Sequence, residues 1–213
     1  MFDVIAPRYD LVNRIMTFGM DVGWRRQAAD SLRLARESTV VDLASGTGDF
    51  CRELTRRGYR PVGVDLSFGM LAAARTQSPL VQGDCLRLPF ADHTVDGVTC
   101  GFALRNFVDL GAFFAELARV VTPGGAIALL EVAEPPNALL RWGHAFYFGK
   151  VVPRIGGLLS DASAYQYLPR SVAYLPEPEV MLDRLRAEGF VQVDRALLST
   201  GIAQLITATR GPR

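Results

Sequence analysis

Lysine is nearly absent: of the 23 basic residues only Lys150 is lysine, and the rest are arginine. Basic and acidic residues almost cancel, leaving a formal charge of +1. A charge balance of this kind demands neither a nucleic acid nor an anionic membrane as partner, and no nucleic-acid partner is expected. The three cysteines, Cys51, Cys85 and Cys100, stand at no metal-ligand spacing, and no metal site is expected. No secretory signal opens the chain, which predicts reduced thiols in the cytoplasm. Mean hydropathy is positive, +0.17, yet no apolar run reaches membrane-spanning length. The longest candidate, residues 138–159, is interrupted by Arg141, His144, Lys150 and Arg154.

What is present is an alternation of short apolar runs and helical patterns. Residues 39–43, 61–65, 79–82, 95–100 and 126–132 read as strands. Between them, residues 48–57 read as a helix closed by Gly58, and Ser67 caps a second helix carrying Met70, Leu71 and Ala74. Leu110, Phe113, Phe114, Leu117, Val120 and Val121 repeat at helical spacing over residues 109–121. Pro178 starts a last helix that ends before Gly189, and strands at 190–195 and 201–209 close the chain as an antiparallel pair. The expected fold is α/β and doubly wound, a seven-stranded, mostly parallel Rossmann-like sheet with an antiparallel last strand. One domain is expected, in four parts. Residues 1–36 are an aromatic and basic helical cap, and 37–132 are the binding core. Residues 133–175 are an aromatic-rich helical insertion over the pocket, and 176–213 hold the closing helix and strand pair.

The most informative stretch is Val40-Val41-Asp42-Leu43-Ala44-Ser45-Gly46-Thr47-Gly48-Asp49. It is an apolar strand ending in an acid, then a glycine-rich turn, then a helix start. The dinucleotide fingerprint needs a third glycine three residues after the second, where this chain has Cys51. A P-loop needs Gly-Lys-Ser/Thr, which is missing. An acid followed by Gly-x-Gly suits a ligand with an amino-acid moiety. The acid meets an ammonium, and the free N–H groups of the turn meet a carboxylate. S-adenosyl-L-methionine has both groups and no phosphate. Successive strand ends extend the set. Asp65 suits a ribose diol, Asp84 beside Cys85 an adenine amino group, and Gly101 the neighbourhood of the sulfonium.

At this point the chain resembles the class I methyltransferases, and in particular the C-methyltransferases of ubiquinone and menaquinone biosynthesis. The resemblance covers nearly the whole chain. It is carried by Phe2-Asp3, Ala6-Pro7-Arg8-Tyr9-Asp10, Trp24-Arg25-Arg26, the Asp42–Asp49 turn, Gly63-Val64-Asp65 and Leu104-Arg105-Asn106. Pro123-Gly124-Gly125 and Tyr167-Leu168-Pro169 with Ser171 complete it. The family usually has Phe-Gly-Leu-Arg-Asn where this chain has Phe102-Ala103-Leu104-Arg105-Asn106, and often Glu-Phe-Ser-x-Pro where it has Glu131-Val132-Ala133-Glu134-Pro135. The resemblance implies cofactor contacts at Thr47, Asp65, Asp84, Cys85 and Gly101. With the turn and its neighbours, the expected cofactor set is Asp42, Ala44, Ser45, Gly46, Thr47, Gly48, Asp65, Leu66, Met70, Asp84, Cys85 and Gly101, with Tyr9 and Arg25 from the cap.

The implied acceptor is a prenylated quinol. Arg105 is the expected cation for its phenolate, Asn106 the group that orients the ring oxygen, and Tyr9 the residue that closes the cap. His144, alone in an aromatic helix, reads more readily as a packed or surface residue than as a base. A prenyl tail implies transient peripheral contact with the inner face of a membrane through the apolar residues around Trp142–Leu159. The same residues would equally suit a lid core or a homodimer interface. Two other functions compete with this reading: a methyltransferase for another aromatic or lipid-like product, and a non-catalytic cofactor-binding subunit.

Overall fold

The computed structural model describes residues 14–147, 150 and 174–212. Its centre is a seven-stranded sheet. In chain order the elements are α1 (Met20–Ser31), β1 (Thr39–Leu43), α2 (Asp49–Arg56), β2 (Arg60–Asp65), α3 (Phe68–Ala72), β3 (Leu80–Gln82), β4 (Val95–Gly101), α4 (Leu110–Val120), β5 (Val121–Val132), α5 (Ala138–Phe146), α6 (Pro178–Ala187), β6 (Phe190–Leu198) and β7 (Ala203–Arg210). The spatial order is β3-β2-β1-β4-β5-β7-β6. Strands β1 to β5 pair in parallel, and β7 runs antiparallel to both of its neighbours. The expected doubly wound sheet with one reversed strand is what forms.

Both faces of the sheet are covered, which is why its central strands are apolar without alternation. Side chains nonetheless divide by parity. Ala126, Ala128 and Leu130 of β5 join Val40, Trp24, Ala28 and Ala29 of α1, and Phe50 and Leu54 of α2. Ile127 and Leu129 face the other way, with Val41, Leu43, Phe113, Phe114 and Leu117 of α4 and Met181 and Leu185 of α6. Each fully buried side chain such as Phe113, Phe114 or Leu117 contributes about 1.5–3 kcal/mol relative to exposure.

The chain leaves β1 toward β2 and β3, then crosses back to β4 on the other side of β1. The helices that follow β1 and β4 therefore diverge, and a crevice opens at the carboxyl ends of these two strands. Everything functional below is built on that opening.

Several boundaries differ from expectation. β5 starts at Val121, before Pro123-Gly124-Gly125; those residues form a bulge, and the register jumps from Val95↔Val121 to Gly97↔Ala126. α3 stops at Ala72 instead of reaching Ala74. β6 continues to Leu198 because β7 supplies partners that far, Leu198↔Ala203. The expected cap lies outside the described residues as far as residue 13, Tyr9 included. So do Arg154, the Tyr167-Leu168-Pro169 block and most of the expected insertion, of which α5 is described.

Candidate active site

The turn after β1 is built on left-handed backbone. Ala44, Gly46 and Gly48 have φ of 50°, 55° and 86°. A Cβ added at Gly46 would meet no atom within 4 Å, so its open side faces free space. Gly48 differs: a Cβ there would lie 2.7 Å from Thr76 Cγ2. Gly48 is therefore the packing glycine of the turn and does not line the cavity described below, contrary to its expected place among the cofactor contacts.

Asp65, at the end of β2, ties this turn together. Its Oδ2 accepts the Gly46 N–H at 2.8 Å and its Oδ1 the Ser67 N–H at 2.8 Å. Ser67 in turn caps α3 by accepting from the Met70 N–H at 3.2 Å. Asp84 accepts the Leu86 N–H at 2.9 Å across a short turn. Asp42 sits deepest, 1% exposed. Its carboxyl accepts from the Thr99 hydroxyl at 2.9 Å and from Cys51 Sγ at 3.6 Å. Burial outweighs both bonds and the positive field of Arg25, and pushes the Asp42 carboxyl up to about 7. Burial also pushes the Cys85 thiol up to about 12 and raises Cys51 and Cys100, so none of the three is a thiolate near neutrality.

These groups surround a cavity of about 490 Å³ at the β1–β4 opening. Every residue of the expected cofactor set lines it except Gly48 and Tyr9, the latter outside the described residues. Asp49, Phe50, Phe102 and Phe107 line it too and were not foreseen. The volume is that of a small-molecule site. Three carboxyl groups on successive strand ends suit ammonium, hydroxyl and amino donors, and Asn106 Oδ1 is buried without a partner. Gly46 keeps its side of the cavity clear. The donor and acceptor chemistry fits S-adenosyl-L-methionine.

A second cavity of about 340 Å³ adjoins the first and is lined mainly by apolar side chains, among them Trp24, Phe102, Val132, Leu139, Leu140 and Tyr147. Its charged residues are Asp21, Arg25 and Arg105, of which Arg105 is 8% exposed. Arg105 Nη1 pairs with Glu131 Oε1, and its backbone N–H donates to Glu131 Oε2 at 3.2 Å. Glu131 is fully buried and also accepts the Val132 N–H at 2.8 Å. Arg105 Nε is buried without a partner among the described residues. The adjacent pair Arg105 and Asn106 is therefore split: Arg105 lines the second cavity and Asn106 the first. A short 3₁₀ turn over Leu104–Asn106 sends consecutive side chains in different directions. The partner of Arg105, Glu131, was missed because the two are brought together only by the β4–β5 pairing.

Outside the second cavity, α5 exposes Leu139, Trp142 and Phe146, and the rings of Trp142 and Phe146 stack at 6.1 Å. Phe18 is exposed beside them and touches Tyr147 at 5.5 Å. Among the described residues no helix is long and apolar enough to cross a membrane.

Comparison with known proteins agrees with this geometry. The model of the ubiE/COQ5 methyltransferase family matches residues 1–210. A demethylmenaquinone methyltransferase of Deinococcus radiodurans is 46% identical over 213 residues, covering 95% of this chain and 88% of that protein. One of Thermus thermophilus is 40% identical over 220 residues, covering 99% and 100%. The Geobacter sulfurreducens ubiquinone/menaquinone biosynthesis C-methyltransferase UbiE is 39% identical over 223 residues, covering 99% and 87%. Among solved structures, a chain from a Haloferax volcanii complex of the Trm112 methyltransferase activator and a methyltransferase superposes with a TM-score of 0.71 at 19% identity, over 99% of this chain and 98% of that one. Haemonchus contortus phosphoethanolamine N-methyltransferase 2, bound to S-adenosyl-L-methionine, gives 0.66 at 14% identity over 89% of this chain and 53% of that one. These two similarities speak for the fold. The chain belongs to the ubiE/COQ5 methyltransferase family and is an S-adenosyl-L-methionine-dependent methyltransferase.

Proposed function

We propose that the protein methylates a ring carbon of a prenylated quinol, of the demethylmenaquinol type. The observation that carries the reading is the second cavity: mainly apolar walls, a buried Arg105 whose Nε–H has no partner among the described residues, a second guanidinium, Arg25, at the partition, and direct adjacency to the first cavity. The names of the related proteins from Deinococcus radiodurans and Thermus thermophilus point the same way.

In this reading Asp65 holds a ribose diol while it holds the glycine turn, Asp84 and Cys85 border the adenine, and Asp42 faces the ammonium. Ala44, Ser45, Thr47, Leu66, Met70, Gly101 and Arg25 complete the wall. Bound S-adenosyl-L-methionine supplies an electrophilic methyl group on a sulfonium. The protein's part is to place a nucleophilic carbon in line with it and to keep water out. A quinol carbon becomes nucleophilic as its neighbouring hydroxyl gives its proton to solvent. Arg105 stabilises the resulting phenolate, through an N–H that has no competing partner among the described residues. Glu131 keeps that guanidinium fixed and its charge compensated. Asn106, on the cofactor side, orients the ring oxygen that reaches the junction. The C–CH3 bond forms as the S–CH3 bond breaks to leave a neutral thioether. The ring carbon then releases its own proton to the phenolate oxygen or solvent to restore the quinol.

The prenyl tail leaves through the apolar mouth beside Leu139 and Leu140. The exposed Trp142, Phe146 and Phe18 make that mouth a surface for transient docking at the inner face of a membrane. The test is turnover of labelled cofactor with a panel of reduced prenyl quinols, quinones and soluble phenols. A demethylmenaquinol analogue is expected to be methylated on carbon. Arg105→Ala is expected to lose that activity while cofactor affinity holds. If quinols are inert and a soluble phenol is methylated, the acceptor is another aromatic compound.

A further inference from the structure

Arg25 and Phe102 line both cavities and so form the partition between them. Phe102 is fixed. Its φ is +60°, its N–H donates to the Leu130 carbonyl at 2.7 Å, and its ring lies 6.1 Å from that of Trp24. Arg25 is held by charge instead. Its Nη1 pairs with Asp21 Oδ2 and lies 3.7 Å from Asp49 Oδ2. Asp21 lines the second cavity and Asp49 the first. The guanidinium carbon stands 5.4 Å from the centre of the Phe102 ring and 5.9 Å from that of Phe50. The Arg25 side chain is only 12% exposed, so a largely desolvated cation is shared between an acid on each side and two aromatic faces.

We propose that Arg25 is a positioning residue that couples the two cavities, reading the charge held on the cofactor side and setting the wall of the acceptor side. The inference rests on the first cavity being the cofactor site. A cation placed there repels the guanidinium and competes with it for Asp49 and for the faces of Phe50 and Phe102. Asp49 is already shared with Arg52 and, at 3.7 Å, with Arg14. Each of these effects shifts Arg25 toward Asp21. Asp21 is 2% exposed in the first turn of α1, accepts the Thr17 hydroxyl at 2.9 Å and lies 3.6 Å from Arg14. A firmer Asp21–Arg25 pair therefore tightens residues 14–25, one wall of the second cavity. The demethylated cofactor carries a neutral thioether in place of the sulfonium, so the bias disappears once the methyl group has left. The acceptor wall is then firm before transfer and loose after it, and occupancy of one cavity alters the other reciprocally.

The test is hydrogen exchange on the full chain, alone and saturated with S-adenosyl-L-methionine or with S-adenosylhomocysteine. In the wild type, amides of residues 17–25 are expected to exchange about five-fold or more slowly with the sulfonium than with the thioether, the low end of ordinary coupling. Residues 43–50 and 65–70 should be protected alike by both. Arg25→Gln, with each ligand raised to a concentration that saturates the variant as judged by protection at 43–50, should erase the difference at 17–25, and Arg25→Lys should restore part of it. A purely structural role would move all three states together. Equal protection of 17–25 by both ligands in the wild type overturns the proposal, whether or not Arg25→Gln folds; so does a difference that survives Arg25→Gln. If neither ligand protects 43–50, the cofactor assignment fails first and the coupling with it.

Discussion

Replacing Asp65 separates its work on the glycine turn from its proposed hold on the cofactor ribose. Its carboxylate accepts the Gly46 and Ser67 N–H groups, one on each oxygen, and it lines the wall of the first cavity. Asp65→Asn keeps one acceptor oxygen and sets an amide N–H₂ against a backbone donor. Losing one charge-assisted bond costs about 1.5–3 kcal/mol of stability. A ribose hydroxyl bond of the same kind costs a similar amount of binding, roughly a 10- to 100-fold rise in Kd. Urea unfolding measures the first and calorimetric titration with S-adenosyl-L-methionine the second. Asp84→Asn is the control, because Asp84 accepts only within its own short turn and should leave the fold nearly unchanged. A folded Asp65→Asn protein with wild-type cofactor affinity would refute the ribose assignment and leave Asp65 only its work on the turn.

Asp42→Asn tests the buried carboxyl. Because its pKa in the folded protein is raised to about 7 from an unfolded value of 3.8, the folded state holds a proton that the unfolded state has released. Stability should therefore fall as pH rises from about 4 to 7 and level off above, by about 4 kcal/mol for this group, and the amide should remove that slope in urea titrations at stepped pH. Gly46→Val should be folded but nearly unable to bind cofactor by calorimetry, since its side chain enters open cavity space and its φ of +55° costs about 1–2 kcal/mol of strain. Glu131→Gln should lower stability by about 3–5 kcal/mol, because it leaves the buried Arg105 uncompensated, and thermal unfolding reads it directly. Trp142→Ser with Phe146→Ser should abolish weak flotation with anionic vesicles without changing the circular dichroism; unchanged flotation removes α5 as the docking surface.

The local chemistry of the cofactor half was legible in the chain. Val40-Val41-Asp42 followed by Gly46-Thr47-Gly48 specifies a buried strand, an acid and a turn that needs left-handed backbone, and these are properties of consecutive residues. The same holds for Ser67 as a cap, whose side chain accepts the Met70 N–H at the start of α3. Strand ends were misplaced where pairing decided them, as with β6 reaching Leu198 opposite Ala203.

Only the folded chain decided the acceptor half. Glu131 and Arg105 are 26 residues apart and meet because β4 and β5 lie side by side. Arg105 and Asn106 are neighbours in sequence yet line different cavities, because a tight turn separates their side chains. Gly46 and Gly48 look equivalent in the motif, but one faces open space and the other Thr76. Sequence sets conformational preference and the kinds of group available along a strand or turn. Which groups share a cavity, which carboxyl is desolvated and which cation stands between two sites depend on contacts between distant segments, and those exist only once the sheet has formed.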